Sequence, residues 1–275
     1  MLNRRTWLKM MAAAAGAWTA GCTTCGKGRK GIRLACQMWS VDDLWRKDPD
    51  GALAKMKAMG YEGIQSMAFW KWDRKKLHAL LDRHGLVLVD MPIYLSHVSP
   101  ANLNATLEFC QEFGVDFLFV PHHGAKTKDE WAKLGDGMAE AATRLAPHGI
   151  KMGFHNHQVE FTSKFDGVSP MDMFFAHKEL AFELDVGHAT LAGENVKELL
   201  TKKIRGRIPS IHAKPGGGNF CGSDKDKNDW PMILRACEEM GTKWAVVECE
   251  TRRNTFADID ASMKYLTGVL ADIRA

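Results

Sequence analysis

A short apolar run recurs eight times along the chain, and an amphipathic stretch follows each copy. The runs cover residues 32–37, 61–65, 86–90, 115–120, 150–154, 180–184, 208–212 and 243–247. Their starts lie about 30 residues apart, which is room for a strand, a helix and two loops. The intervening patterns predict helices over 51–59, 74–84, 101–113, 128–146, 171–177, 195–203, 231–240 and 256–273. Gly60, Gly85, Gly114, Gly149 and Gly241 each close one helical pattern and open the next apolar run, as a C-terminal helix cap does. Continuous apolar strands alternating with helices predict a parallel sheet covered on its outer face. Eight such units close most naturally into a single α/β (β/α)8 barrel over residues 32–275, and the chain's 275 residues suit one domain of that kind. A doubly wound open sheet is the alternative.

The formal charge of +4 suggests a nucleic-acid partner until the positive residues are located. Six of the 37 basic residues, Arg4, Arg5, Lys9, Lys27, Arg29 and Lys30, precede residue 31. The rest of the chain therefore carries 31 basic against 33 acidic side chains, about −2. A protein that tracks phosphates keeps a basic stripe on its folded domain, so no nucleic-acid partner is expected.

The basic residues belong to a leader. Asn3-Arg4-Arg5-Thr6-Trp7-Leu8-Lys9, an apolar stretch over 10–20 and Gly21-Cys22 resemble a twin-arginine export signal over residues 1–22. Thr19-Ala20-Gly21-Cys22 also resembles a lipoprotein box, which implies a lipid anchor at Cys22. The expected location is the periplasm or cell envelope, reached through the twin-arginine export machinery. Gly26-Lys27-Gly28-Arg29-Lys30-Gly31 fits a dinucleotide-binding pattern but precedes the first strand instead of following one, so residues 23–31 are expected to be a flexible linker. Of seven cysteines, Cys36, Cys110, Cys237 and Cys249 lie in apolar stretches and are expected to be buried free thiols, while Cys25 and Cys221 are candidates for exposed partners.

In a barrel of this type the C-terminal strand ends and the loops after them build the active site. Those ends carry Gln37 and Trp39, Gln65, Asp90, His122 and His123, His155, His157 and Glu160, Asp185 and His188, His212 and Lys214, then Glu248 and Glu250. More than half of the eleven histidines are among them. Carboxylates and imidazoles that converge from successive strands suit one divalent metal ion, Mn, Co, Zn or Mg, rather than thiolate chemistry. Trp39, Trp70 and Trp72 follow the first two strands and could stack on a sugar ring; packing between loops explains them equally well.

Gly153-Phe154-His155-Asn156-His157-Gln158-Val159-Glu160-Phe161, Leu184-Asp185-Val186-Gly187-His188, Ser210-Ile211-His212-Ala213-Lys214 and Val246-Val247-Glu248-Cys249-Glu250 resemble the sugar phosphate isomerase/epimerase family of xylose-isomerase-like barrels. The likeness runs from residue 32 to residue 273. It implies a metal held by Glu160, Asp185, His212 and Glu248, with Glu160, Glu248, His155 and His188 in catalysis. It implies substrate contacts from His157, Lys214, Trp39, Gln65 and His122. Two departures stand out. Gln65 replaces the Glu that ends the second strand in many relatives, and His155 occupies the place of a metal-binding Glu in several epimerases, leaving Glu160 or His155 as the ligand of the fifth strand.

The implied chemistry is removal of the proton α to a carbonyl through an enediolate, giving isomerisation or epimerisation of a ketosugar or related carbohydrate. Loss of a β-substituent would instead make the protein a 3-keto-glycoside lyase. A sugar-binding lipoprotein without catalysis is a further alternative. The related endonuclease group is disfavoured by the net acidic domain and the export-like leader. Homo-oligomerisation is left open by the sequence.

Overall fold

Nine strands form one entirely parallel ladder in the order β3-β2-β1-β9-β8-β7-β6-β5-β4. They are β1 Arg33–Gln37, β2 Gly63–Gln65, β3 Val87–Leu88, β4 Met91–Pro92, β5 Phe117–Val120, β6 Lys151–His155, β7 Ala181–Asp185, β8 Ser210–Ala213 and β9 Trp244–Val247. The computed structural model describes residues 31–250 and 255–275. The leader over 1–22 with Cys22, the linker up to residue 30 and Cys25 lie outside the described residues. No helix among the described residues is long and apolar enough to cross a membrane.

The two ends of the ladder, β3 and β4, are separated by only Val89 and Asp90, so the sheet is a barrel of eight staves whose third stave is broken. A single strand was expected over 86–90; the backbone instead changes partner within it. Val89 N donates to Ile64 O of β2 at 3.1 Å, and Ile93 N donates to Phe119 O of β5 at 2.8 Å. Pro92 has no amide to continue a ladder. Asp90, buried at the break, has its carboxyl pushed well above the usual carboxylate range by burial and the negative charge of Glu183.

The helices flank the strands as the periodicity predicts: Pro49–Met59, Arg74–His84, Leu103–Phe113, Lys128–Leu145, Pro170–Ala176, Trp230–Glu239 and Thr255–Arg274. The short helices Val186–Leu191 and Val196–Glu198 lie between β7 and β8. All five glycines expected to end helices sit at positive φ, between 59° and 105°, a region that costs glycine nothing. Lys128–Leu145 starts on a reciprocal cap: Glu130 N donates to Thr127 Oγ1 at 3.3 Å and Thr127 N donates to Glu130 Oε2 at 3.2 Å.

The main core lies between strands and helices, with Trp45, Ile64, Phe69, Phe154, Phe174 and Trp230 buried in it. Inside the barrel, Ala35, Val89, Trp244 and Val246 form one small cluster, and Phe117, Phe119 and Ala181 form another. These plugs fill the barrel below the polar strand ends, so buried charge is confined to one level and above. Cys36, Cys110, Cys237 and Cys249 are buried free thiols as expected. Cys221, expected to be exposed, is buried too, and its thiol donates to Ala213 O at 3.2 Å.

Candidate active site

Side chains two apart on a strand share a face, so Gly153 and His155 on β6, Glu183 and Asp185 on β7, and Ser210 and His212 on β8 point the same way. The register sets His155 beside Glu183, and Asp185 beside His212. Glu248 follows β9 directly. His155, Asp185, His212 and Glu248 are all buried, and one donor atom from each lies within 4.8 Å of the others.

Each member is held from behind. Asp185 Oδ1 accepts from His188 N at 2.7 Å, capping the helix Val186–Leu191. Asn156 grips the Asp185 backbone at both ends: its Oδ1 accepts from Asp185 N at 3.0 Å, and its Nδ2 donates to Asp185 O at 3.1 Å. His212 Nδ1 lies 2.8 Å from Glu248 Oε2 and 3.8 Å from Asp185 Oδ2.

Glu183, which sequence reasoning passed over, sits one layer below. Its Oε2 lies 3.1 Å from His212 Nε2 and 3.4 Å from His155 Nδ1. Its Oε1 accepts from Gln65 Nε2 at 2.6 Å and from Ser210 Oγ at 3.2 Å. Gln65 Oε1 in turn lies 2.8 Å from His212 Nε2 and accepts from Gln37 Nε2 at 2.5 Å. Glu183 thus puts a carboxylate oxygen, itself buried without a hydrogen-bond partner, beneath both imidazoles. The signal was present in the sequence as a charge two residues before Asp185 inside an apolar run.

The electrostatics of the quartet ask for a cation. Burial opposes the positive form of His212, but Glu183 and Glu248 outweigh it and raise the imidazole well above its ordinary range. Burial would raise Glu183, yet the positive charge of His212 and the closeness of both imidazoles bring it down to about 2. Asp185 Oδ2 is buried without a hydrogen-bond partner. Three carboxylates and two imidazoles with an unsatisfied oxygen among them match the mixed nitrogen and oxygen donors of a divalent metal site. Glu183→Gln is expected to weaken metal binding by about 10- to 100-fold, because the amide puts an NH2 in place of one acceptor oxygen and cannot offer an oxygen both to Gln65 and Ser210 and to the two imidazoles. Isothermal titration with Zn2+ measures this, and unchanged affinity would remove Glu183 from the support of the site.

A second layer surrounds the quartet. Lys214 Nζ lies 3.0 Å from His188 Nε2 and also pairs with Glu250. Burial keeps His188 neutral by lowering its pKa. The rings of His155 and His157 are 5.0 Å apart between centroids, and those of His157 and His188 are 4.9 Å apart. Burial is the main cause that brings the pKa of His157 down to about 3.

Glu160 does not join the quartet. It is buried on the short helix Val159–Thr162, its Oε2 accepts from His157 N at 2.7 Å, and it groups with His122 and His157. His155 therefore stands where the fifth barrel strand reaches the quartet. Trp70 packs on Phe109, 4.3 Å between centroids, and donates to Pro92 O at 2.9 Å; Trp72 packs against Trp45 and Phe69. Both are structural. Trp39, just after β1, is 56% exposed.

Residues 53–269 match the family described as the xylose isomerase-like TIM barrel. The chain belongs to that family. It is 22% identical over 263 residues to the rhizopine catabolism protein MocC of Rhizobium meliloti, covering 78% of this chain and 80% of the relative. It is 24% identical over 215 residues to the inosose dehydratase of Geobacillus kaustophilus, covering 66% and 68%. A sugar phosphate isomerase/epimerase from Parabacteroides distasonis superposes with a TM-score of 0.70 at 18% identity, over 89% of this chain and 97% of that one. That likeness concerns the fold.

Proposed function

We propose that this chain is a metal-dependent sugar isomerase or epimerase acting on a ketosugar or related carbohydrate, by removal of the proton α to its carbonyl. The observation that carries this reading is the buried quartet of His155, Asp185, His212 and Glu248, with two carboxylates among its donors and a supporting carboxylate beneath it. These four would hold the metal. When bound, a divalent ion supplies Lewis acidity to a carbonyl and its neighbouring hydroxyl, which lowers the cost of an enediolate.

The chain's own groups handle the protons. Glu248 Oε2 faces His212 Nδ1 at 2.8 Å among the quartet donors, and its other oxygen is the acceptor for the carbon-bound proton. His188 accepts from Lys214 at Nε2, so the pair can exchange a proton with a substrate oxygen. Lys214, raised by Glu248, Asp185 and Glu250 against the effect of burial, stays charged and steadies the developing negative charge. His157, held neutral, and the exposed face of Trp39 complete the substrate surface.

A second reading, elimination next to the carbonyl, is favoured by the likeness to an inosose dehydratase and shares the same first half-reaction. Turnover of a ketosugar or 3-keto-glycoside in deuterated water is expected to place deuterium on the carbon next to the carbonyl. Deuterium in a rearranged sugar selects the isomerase or epimerase, and deuterium together with a released group selects the lyase. An active substrate without any carbon-bound exchange would sink both. The leader with Arg4 and Arg5 supports a further part of the proposal, export to the cell envelope with Cys22 as lipid anchor, where neutral sugars are commoner substrates than sugar phosphates.

A further inference from the structure

Glu160 is fully buried, and one of its oxygens has no partner. The other is fixed by the His157 amide at 2.7 Å, so the free Oε1 is held in place and not left to rotate away. His157 Nδ1 lies 4.0 Å from that oxygen, too far for a hydrogen bond, and is itself buried without a partner. His122, exposed on the loop after β5, meets the His157 ring edge-on at 5.8 Å between centroids. One donor atom from each of the three lies within 4.8 Å of the others.

A buried carboxylate oxygen left unsatisfied costs about 1–3 kcal/mol or more, and Glu160 responds by a raised pKa whose main cause is burial. A proton would relieve that cost only in part, because His157 Nδ1 stands too far away to share it. A cation between the three groups satisfies all of them at once.

We propose that His122, His157 and Glu160 form a second divalent-cation site at the mouth of the barrel, beside the quartet. Two imidazoles and one carboxylate suit zinc, cobalt or nickel better than magnesium. Three protein donors leave open positions, the mark of a site that also takes water or a substrate oxygen. Exposure of His122 makes this the weaker and more exchangeable of the two sites. None of its residues belongs to the quartet, although His157 also borders the substrate surface, so occupancy of the two sites is read by metal count and not by activity.

The test is equilibrium dialysis of the metal-stripped full-length chain against Co2+, with bound metal measured by mass spectrometry and its coordination followed by visible absorption. Two equivalents are expected in the unaltered chain and one in His122→Ala and in Glu160→Gln. Asp185→Asn is expected to keep the mouth ion. His122 lies on the surface, so its replacement leaves the core untouched, and circular dichroism checks the fold of every variant. A single equivalent that His122→Ala removes and Asp185→Asn spares would uphold the mouth site and overturn the quartet. No bound metal, or a stoichiometry that His122→Ala leaves unchanged, overturns the mouth site. Loss of the tightly held ion in Glu160→Gln overturns it as well, since Glu160 would then serve the first metal.

Discussion

His212→Ala is expected to abolish retention of the quartet metal and to lower turnover by at least about a thousandfold, the scale of several kcal/mol of lost charge stabilisation. Three carboxylates explain the size of the effect. His212 stands between Glu183 and Glu248, with Asp185 at 3.8 Å, so its loss removes a ligand and leaves like charges facing one another in a buried space. Asp185→Asn is the better companion than Asp185→Ala, because the amide oxygen still accepts from His188 N and keeps the cap on Val186–Leu191. Elemental analysis of the purified variants decides the matter. Stoichiometric metal at the quartet in either one would count against that residue as a ligand.

The second large effect concerns a residue with no side chain. A Cβ on Gly153 would lie 2.0 Å from Ala181 O and 3.0 Å from the Phe117 ring. Both neighbours are fixed: the carbonyl belongs to the backbone of β7, and the ring plugs the inside of the barrel. Gly153→Ala therefore has to separate β6 from β7, which carry His155 and Asp185. A destabilisation of about 3 kcal/mol or more is expected, as for severe overpacking. Thermal unfolding followed by circular dichroism measures it, and a melting temperature equal to that of the unaltered chain would refute the close approach of the two strands.

The eight strand and helix units were legible because strands buried on both faces read as unbroken apolar runs, and because glycine stands where each helix must turn left-handed. The break in the third stave was not legible: Asp90 looks like any polar strand end, and only the partner change from Ile64 to Phe119 reveals the switch. Of the site, Asp185, His212 and Glu248 were marked by their places at strand ends. The choice between His155 and Glu160 depends on where β6 stops, since Glu160 has already turned onto a helix. Glu183 was hidden because a charge within an apolar strand shows its direction only once the pleat is fixed.

The broken stave also sets where the barrel can come apart. β3 and β4 are each bonded to a single neighbour, whereas β8, which carries His212, lies at the middle of the ladder with four strands on either side. Breathing motions that begin at the seam must unzip four strands in either direction before they reach the histidine. The strand that carries His212 is thus insulated from the weakest joint, whereas His155 on β6 has only β5 and β4 between it and the seam, so a gap at Val89 and Asp90 can open and reclose with His212 in place.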